Sequence, residues 1–248
     1  MAVYLFGDIH GGYESYKLTA PYFPNQPLLT AQDTVIICGD FGFPFRSSDA
    51  CPEAESSPDP QIRHYRAVYR QWMDWCSAQP YTIAFVDGNH DNHPYWAGQP
   101  TGFWNGGMVH RSPDAPNLIH LMRGEVYTIE GKNVWCFGGA ESIDRTLRTE
   151  GLDWWPEEIA SYDEMQHGLQ TLSAHDNRVD VIITHTMPQC LLPVYGFGMG
   201  SLDPVAAYLD EVYRTTTFDR WFCGHLHKDL YKPFYKVQVL YQQYTVLE

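Results

Sequence analysis

At 248 residues with 44% hydrophobic and only 19% charged content, the chain is long and apolar enough to bury a sizeable core, which excludes a disordered polypeptide; residues 1–248 read as one domain. Thirty acidic against 16 basic residues leave a net charge of −14, so there is no electrostatic footprint for sequence-independent binding to nucleic acid or anionic membranes, while carboxylates remain for divalent cations. No stretch approaches the roughly 18 apolar residues of a membrane span, the N-terminal run lacks the basic flank of a signal peptide, and six scattered cysteines without a Cys-x-x-Cys read as reduced thiols, so a cytoplasmic location is expected.

In chain order, the first element is "AVYLFGDIHG" (2–11), a short apolar run that stops at glycine and then presents acid and imidazole. The same design returns as "DTVIICGDFG" (33–42), "YTIAFVDGNHD" (81–91), "DVIITHTMP" (180–188) and "DRWFCGHLH" (219–227). Each run is rich in Val, Ile, Tyr or Phe and bounded by polar or turn residues, which predicts buried strands with polar clusters at their carboxyl ends. Residues 43–60 read as an irregular Pro/Ser/Asp-rich stretch. Ile62, Tyr65, Val68, Tyr69, Trp72, Met73 and Cys76 then recur at a spacing of three and four, predicting a helix over 61–76.

Residues 92–117 read as irregular. "LIHLM", "EVYTI" and "NVWCFGG" within 118–137 are expected to lie antiparallel, the last two joined by a turn at Glu130-Gly131-Lys132. Residues 141–156 form a third irregular stretch, and all three stretches are expected to roof a site. Trp96, Trp104, Trp154 and Trp155 in these stretches offer either roof packing or a stacking surface. A helix is expected over 155–172, opened by Pro156, and another over 203–214, with Asp203 as its cap. "YKVQVLYQQYTVL" (235–247) reads as a final strand or hairpin. Alternating strands and helices with β-rich additions indicate an α/β layered architecture.

In open α/β sheets, ligands gather beyond the carboxyl ends of the strands. The five predicted strand ends supply Asp8, His10, Asp40, Asn89, His90, His185, His225 and His227. Oxygen and imidazole donors without a thiolate suit Mn²⁺, Fe²⁺ or Zn²⁺ and argue against a closed structural zinc. The pair His225 and His227 alone reads equally as a hydrogen-bonded end to a core strand.

"GDIHGG", "GDFG", "GNHD", "THTMP" and "GHLH" occur in the order and approximate spacing of the calcineurin-like metallophosphoesterases, which the chain resembles over residues 7–227. That resemblance implies a four-layer α/β/β/α sandwich of two mixed sheets flanked by helices, with a metal site at strand carboxyl ends. It also implies two divalent ions, manganese foremost with iron or zinc as alternatives. Asp8, His10 and His227 would hold one ion, and Asn89, His185 and His225 the other, with Asp40 bridging. A hydroxide between the ions would attack phosphorus in line. His90 would serve the leaving oxygen or the transition state, and Asp91 would orient His90 or a neighbouring group.

The protein phosphatases of that superfamily carry Gly-Asp-x-x-Asp-Arg-Gly, with an arginine four residues after the bridging aspartate. Here "GDFGFPFR" delays it to Arg46, and the third motif ends in Asp91 rather than glutamate. These departures point to the small-molecule and diester branch, acting on phosphodiesters or small phosphomonoesters, nucleotides included, and "CFGGAESIDRTLR" (136–148) resembles a feature of small bacterial-type metallophosphoesterases. Arg145 and Arg46 are the candidates to grip phosphate, with Arg148 a further possibility for the first role. A nuclease of the same superfamily is an alternative that the net charge disfavours; a non-catalytic scaffold is another.

Overall fold

A computed structural model describes residues 2–198 and 202–247 of the chain. Strands β1 (Val3–Phe6), β2 (Thr34–Cys38), β3 (Thr82–Val86), β4 (Thr101–Trp104), β5 (Gly107–Arg111) and β6 (Leu118–Leu121) build a first sheet. A second sheet contains β7 (Val126–Ile129), β8 (Lys132–Phe137), β9 (Val181–Thr184), β10 (Arg220–Cys223), β11 (Leu230–Lys232) and β12 (Val237–Val239). The chain then returns to the first sheet as β13 (Thr245–Val246). The strand orders are β13-β1-β2-β3-β6-β5-β4 and β11-β12-β10-β9-β8-β7. Both sheets are mixed: β1, β2, β3 and β6 run parallel in one, and β8, β9, β10 and β12 in the other, with antiparallel strands outside them.

The alternation of side chains along each strand divides the apolar residues into layers. Val3, Leu5, Ile36, Cys38, Ala84 and Val86 of the first sheet face Val134, Cys136, Val181, Ile183 and Phe222 of the second, forming the central core. The opposite face of the first sheet, through Val35, Ile37, Ile83 and Phe85, packs on Tyr69, Met73 and Cys76 of α1 (Pro60–Ser77). A short helix, α2 (His93–Ala97), follows β3. The outer face of the second sheet, through Trp135, Phe137, Ile182 and Trp221, meets Leu172 of α3 (Tyr162–Ala174) and Val205, Leu209 and Val212 of α4 (Pro204–Thr215). Four layers result, as the family resemblance implied.

Three local expectations are corrected. Helix α3 starts at Tyr162, because Ser161 and Glu164 form a reciprocal capping box, while Pro156 opens only the short 3₁₀ turn Pro156–Glu158. "LIHLM" does not join the antiparallel pair that follows it: β6 lies parallel to β3 in the first sheet, and β7 and β8 pair without it in the second. Residues 92–117 hold α2 and the β4–β5 hairpin instead of irregular loop. The tail is a strand in each sheet, because β12 pairs with β10 and β13 with β1. Among the described residues no helix is long and apolar enough to cross a membrane.

Candidate metal centre and cleft

The loops leaving β1, β2, β3, β9 and β10 converge, and the motif glycines allow it. A Cβ on Gly88 would lie 2.1 Å from Asp40 Oδ1, and one on Gly224 would lie 2.2 Å from Asp8 Oδ1. Each glycine therefore makes room for an acid carried by a different loop. Backbone strain accompanies the convergence. His10, Asp40, His225 and His227 all adopt left-handed conformations, with φ of 47°, 51°, 64° and 49°. For residues with a Cβ such geometry costs about 1 kcal/mol or more each, and it persists only where the surroundings enforce it.

Two groups of donors form around Asp40, which is 1% exposed. On one side Asp40 Oδ2 lies 3.2 Å from His10 Nε2, and Asp8 Oδ2 lies 3.2 Å from His227 Nε2. Ligand atoms of Asp8, His10, Asp40 and His227 all fall within 4.8 Å of one another, a group that can hold a metal ion. On the other side Asp40 Oδ1 lies 3.3 Å from His185 Nε2, which also faces Asn89 Oδ1 at 3.0 Å. The ring of His225 stands against that of His185, centroids 4.9 Å apart, and its backbone N–H donates to Asp8 Oδ1 at 2.9 Å. All seven sequence-predicted ligands are thus brought together.

The proton inventory at His185 shows what these groups are suited to hold. Its Nδ1–H faces the Cys38 carbonyl at 3.0 Å, leaving Nε2 with a lone pair in the neutral ring. Asn89 donates through its amide nitrogen to Ser142 Oγ at 3.1 Å, so its oxygen is what meets Nε2. Three atoms able to serve as ligands, His185 Nε2, Asn89 Oδ1 and Asp40 Oδ1, therefore converge. Burial opposes charge on His185, but Asp40 and Asp8 outweigh it and raise its pKa. Asp8 Oδ2 and Asp40 Oδ2 are buried without a hydrogen-bond partner. Atoms bound about 2.1 Å from one cation at right angles lie about 3 Å apart, the separations found here, so the donor set fits divalent ions.

The same groups perturb one another's titration. Burial pushes the Asp8 carboxyl up to about 6, with Asp40 adding to the rise against the opposing pull of His185. Burial works against a charged His10, but Asp40, Asp8 and Glu14 outweigh it and carry that imidazole up to about 9. Burial beside His185 sends His225 down to about 3.

A second tier, not anticipated from sequence, fixes the first. Glu14 Oε2 binds His10 Nδ1 at 2.7 Å and so leaves Nε2 facing Asp40. Lys17, only 1% exposed, donates to the Asp8 carbonyl at 3.0 Å and pairs with Glu14 at 3.3 Å. Its ammonium also lies 4.0 Å from the ring of Tyr241, which stacks on His227 at 4.7 Å. One buried cation thereby braces Asp8, His10 and His227 at once. The available signal was the spacing of Glu14 and Lys17 four and seven residues beyond His10.

A cleft of about 720 Å³ opens beside the donors, reaching His10, His90 and His227, with Tyr13, Phe45, Arg46, Tyr65 and Arg148 in its walls. His90 is placed by its backbone N–H, which donates to Asp40 Oδ1 at 2.8 Å, and its ring lies 5.3 Å from that of His10. Burial lowers its pKa, with Arg148 and His10 adding to the fall against the opposing pull of Asp40. Asp91 is turned away from the His90 ring. Its carboxylate accepts from the backbone N–H groups of Gly42 (2.6 Å), Gly88 (2.7 Å) and Phe41 (3.3 Å), lashing together the loops that carry Asp40 and Asn89.

Arg46 lines the cleft, its guanidinium 4.1 Å from the Tyr65 ring. Arg145 instead pairs with Glu141 at 3.0 Å and does not line the cleft. Arg148 takes that place, held by two 2.8 Å bonds to Asp144. Of the three irregular stretches, 43–60 and 141–156 contribute to the cleft, while 92–117 does not.

A search of curated protein sequences finds no match. Among solved structures, the chain is similar to a Staphylococcus aureus protein described as a 5′-nucleotidase and crystallised with α-ketoglutarate, at 15% identity and a TM-score of 0.52; the likeness covers all of this chain and half of that one. The calcineurin-like phosphoesterase family profile matches residues 1–229. The chain belongs to the calcineurin-like phosphoesterases.

Proposed function

We propose that the chain hydrolyses a small phosphate ester, diester or monoester, with two divalent cations held in the paired donor groups. Asp8, His10 and His227 would hold one, Asn89, His185 and His225 the other, and Asp40 would contribute one oxygen to each. The observation that carries this reading is the meeting of carboxylate oxygens and imidazole nitrogens around Asp40, whose two oxygens turn to different imidazoles. Such a cation pair, manganese foremost, supplies water with a lowered pKa and neutralises charge on the phosphoryl oxygens.

The chain's own residues supply the rest. Glu14 and the Cys38 carbonyl fix the His10 and His185 tautomers, so that both Nε2 atoms face Asp40. His90, at the cleft and bonded to Asp40 only through its backbone, is placed to pass a proton to the leaving oxygen. Arg148 is the cleft cation nearest in role to a phosphate clamp, its fork pre-set by Asp144. Asp91 acts by holding loops, not by touching substrate.

The test is elemental analysis of the purified protein followed by hydrolysis of aryl phosphomonoesters and diesters with Mn²⁺, Fe²⁺ or Zn²⁺. Two ions per chain and turnover are expected. Absence of bound metal and of turnover with all three would sink the reading.

A further inference from the structure

The cleft changes character with distance from the imidazoles. Its inner end holds His90, with Arg148 also in the wall. The His90 ring leads to Phe45 (6.3 Å between centroids), Phe45 to the Arg46 guanidinium (5.5 Å), and Arg46 to the ring of Tyr65 (4.1 Å). A Cβ on Gly12 would touch Val68 Cγ1 at 2.8 Å, so Tyr13 stands beside the α1 face that carries Tyr65 and Val68. The Tyr13 ring is 80% exposed. Neither Trp96 nor Trp155 lines this wall: Trp96 is buried elsewhere at 2% exposure, and Trp155, at 3%, packs edge-on against Phe45 with centroids 6.0 Å apart.

We propose that this outer part of the cleft is a nucleobase pocket, so that the substrate is a nucleotide whose base stacks among Tyr13, Phe45 and the Arg46–Tyr65 pair; this rests on the phosphoesterase reading above. Arenes and a stacked guanidinium offer flat, polarisable faces that match a heterocycle and give little to an aliphatic alcohol. A second phosphate is disfavoured here, because the buried Asp49 carboxylate also lines the cleft and offsets the charge of Arg46. Asp49 Oδ2 accepts from the Arg46 backbone N–H at 2.9 Å, the Phe45 backbone also donates to this carboxylate, and Oδ1 meets Ser48 Oγ at 3.5 Å with a second lone pair to spare. That leaves Oδ1 able to accept from an exocyclic amino group, which adenine and cytosine carry and uracil lacks. A volume of about 720 Å³ lies in the usual range for small-molecule sites.

Adenosine 5′-monophosphate and ribose 5-phosphate share a scissile bond and differ by the base alone. With metal-loaded protein, calorimetry should show AMP binding at least about tenfold more tightly, the order expected for one stacked base. Uridine 5′-monophosphate should bind between the two. Tyr65→Leu and Tyr13→Ala should each move the AMP-to-ribose-phosphate ratio toward one, chiefly by weakening AMP. Equal affinity for AMP and ribose 5-phosphate, or a ratio unmoved by both variants, overturns the pocket. Hydrolysis of the same compounds reports separately on the phosphoesterase reading: turnover of both at equal kcat/KM defeats the pocket and spares the chemistry, whereas tight AMP binding without turnover supports the pocket and defeats the chemistry.

Discussion

Two clusters of buried polar groups lie within a few residues of each other in sequence and behave oppositely. Asp87, directly after β3, is 2% exposed and almost as buried as Asp40. It accepts from Arg123 Nε at 2.9 Å and Nη2 at 2.5 Å, and faces His120 Nε2 at 3.0 Å. His120 Nδ1 in turn meets His110 Nδ1 at 3.0 Å, and Arg123 reaches Glu164 of α3 at 3.3 Å. Burial opposes charge on both acids, yet both are held well below the usual carboxylate range: Asp87 chiefly by the Arg123 guanidinium, Asp40 chiefly by His185 and His90. Arg123 is permanently charged; the imidazoles around Asp40 are not. The Asp87 cluster pairs its charges internally and ties the crossover between the sheets to α3. The Asp40 cluster lies beside the cleft with Asp8 Oδ2 and Asp40 Oδ2 lacking hydrogen-bond partners, so it can hold a cation. Equal burial and similar residue types thus give structure where the charges close internally and a binding site where they do not.

The largest effect expected from this contrast is at Asp40. Asp40→Asn should lose both ions in elemental analysis and bring turnover to background, since one side chain serves both donor groups. Retention of either a full metal complement or full rate would contradict the bridging role. Next comes His90→Asn, expected to lower kcat by about 10²- to 10⁴-fold, the range for a general acid or base, with metal content unchanged. Loss of metal together with rate would make His90 part of the cation site instead.

Smaller effects belong to the second tier. Glu14→Gln keeps the shape but weakens the acceptor that sets the His10 tautomer. Affinity for one of the two ions should fall by about 10- to 100-fold in a stepwise metal titration, the other binding as before. Lys17→Met should act in the same direction by releasing the Asp8 carbonyl and Glu14. If neither substitution shifts a metal isotherm, the brace is packing alone.

How much of this was legible in sequence follows from distance along the chain. Five strand ends were readable because each repeats a local grammar, apolar run then glycine then donors, and the seven donors sit at those ends. Asp203 as a helix cap was readable for the same reason, its Oδ1 accepting from Val205 N–H at 2.8 Å. Lys17 was not, because a lysine in "GGYESYK" looks solvated until the fold buries it behind Asp8. Arg148 and Arg145 are three residues apart, and only the short turn Arg145–Leu147 decides which reaches the cleft. The sheet assignment of β6 was hidden because "LIHLM" and "EVYTI" have the same strand character, and the chain changes sheets between them. The Asp87–Arg123 pair depends on that same crossover and shares its obscurity.

The Asp87 cluster gives the prediction of smallest functional consequence and the most direct test of the contrast. Asp87→Asn leaves the buried Arg123 without its main partner, which should lower stability at neutral pH by about 3–5 kcal/mol. At about 2–4 °C per kcal/mol for a chain of this size, thermal melting should register it as a fall of roughly 10 °C. The sign with pH follows from a carboxyl whose folded pKa lies well below its ordinary value of 3.8. Its contribution is fully present above that ordinary value and is lost as pH falls through the lower, folded one. The gap between wild type and variant should therefore stay constant from neutral pH down to about 5 and narrow only in stronger acid. A chelator separates the clusters further. It should lower the melting temperature of wild type and Asp87→Asn by the same increment, because ligand-linked stability resides in the Asp40 cluster, and leave Asp40→Asn unmoved. An Asp87→Asn variant that melts like wild type, or that alone loses its response to the chelator, would erase the distinction between an internally paired network and one that takes up cations.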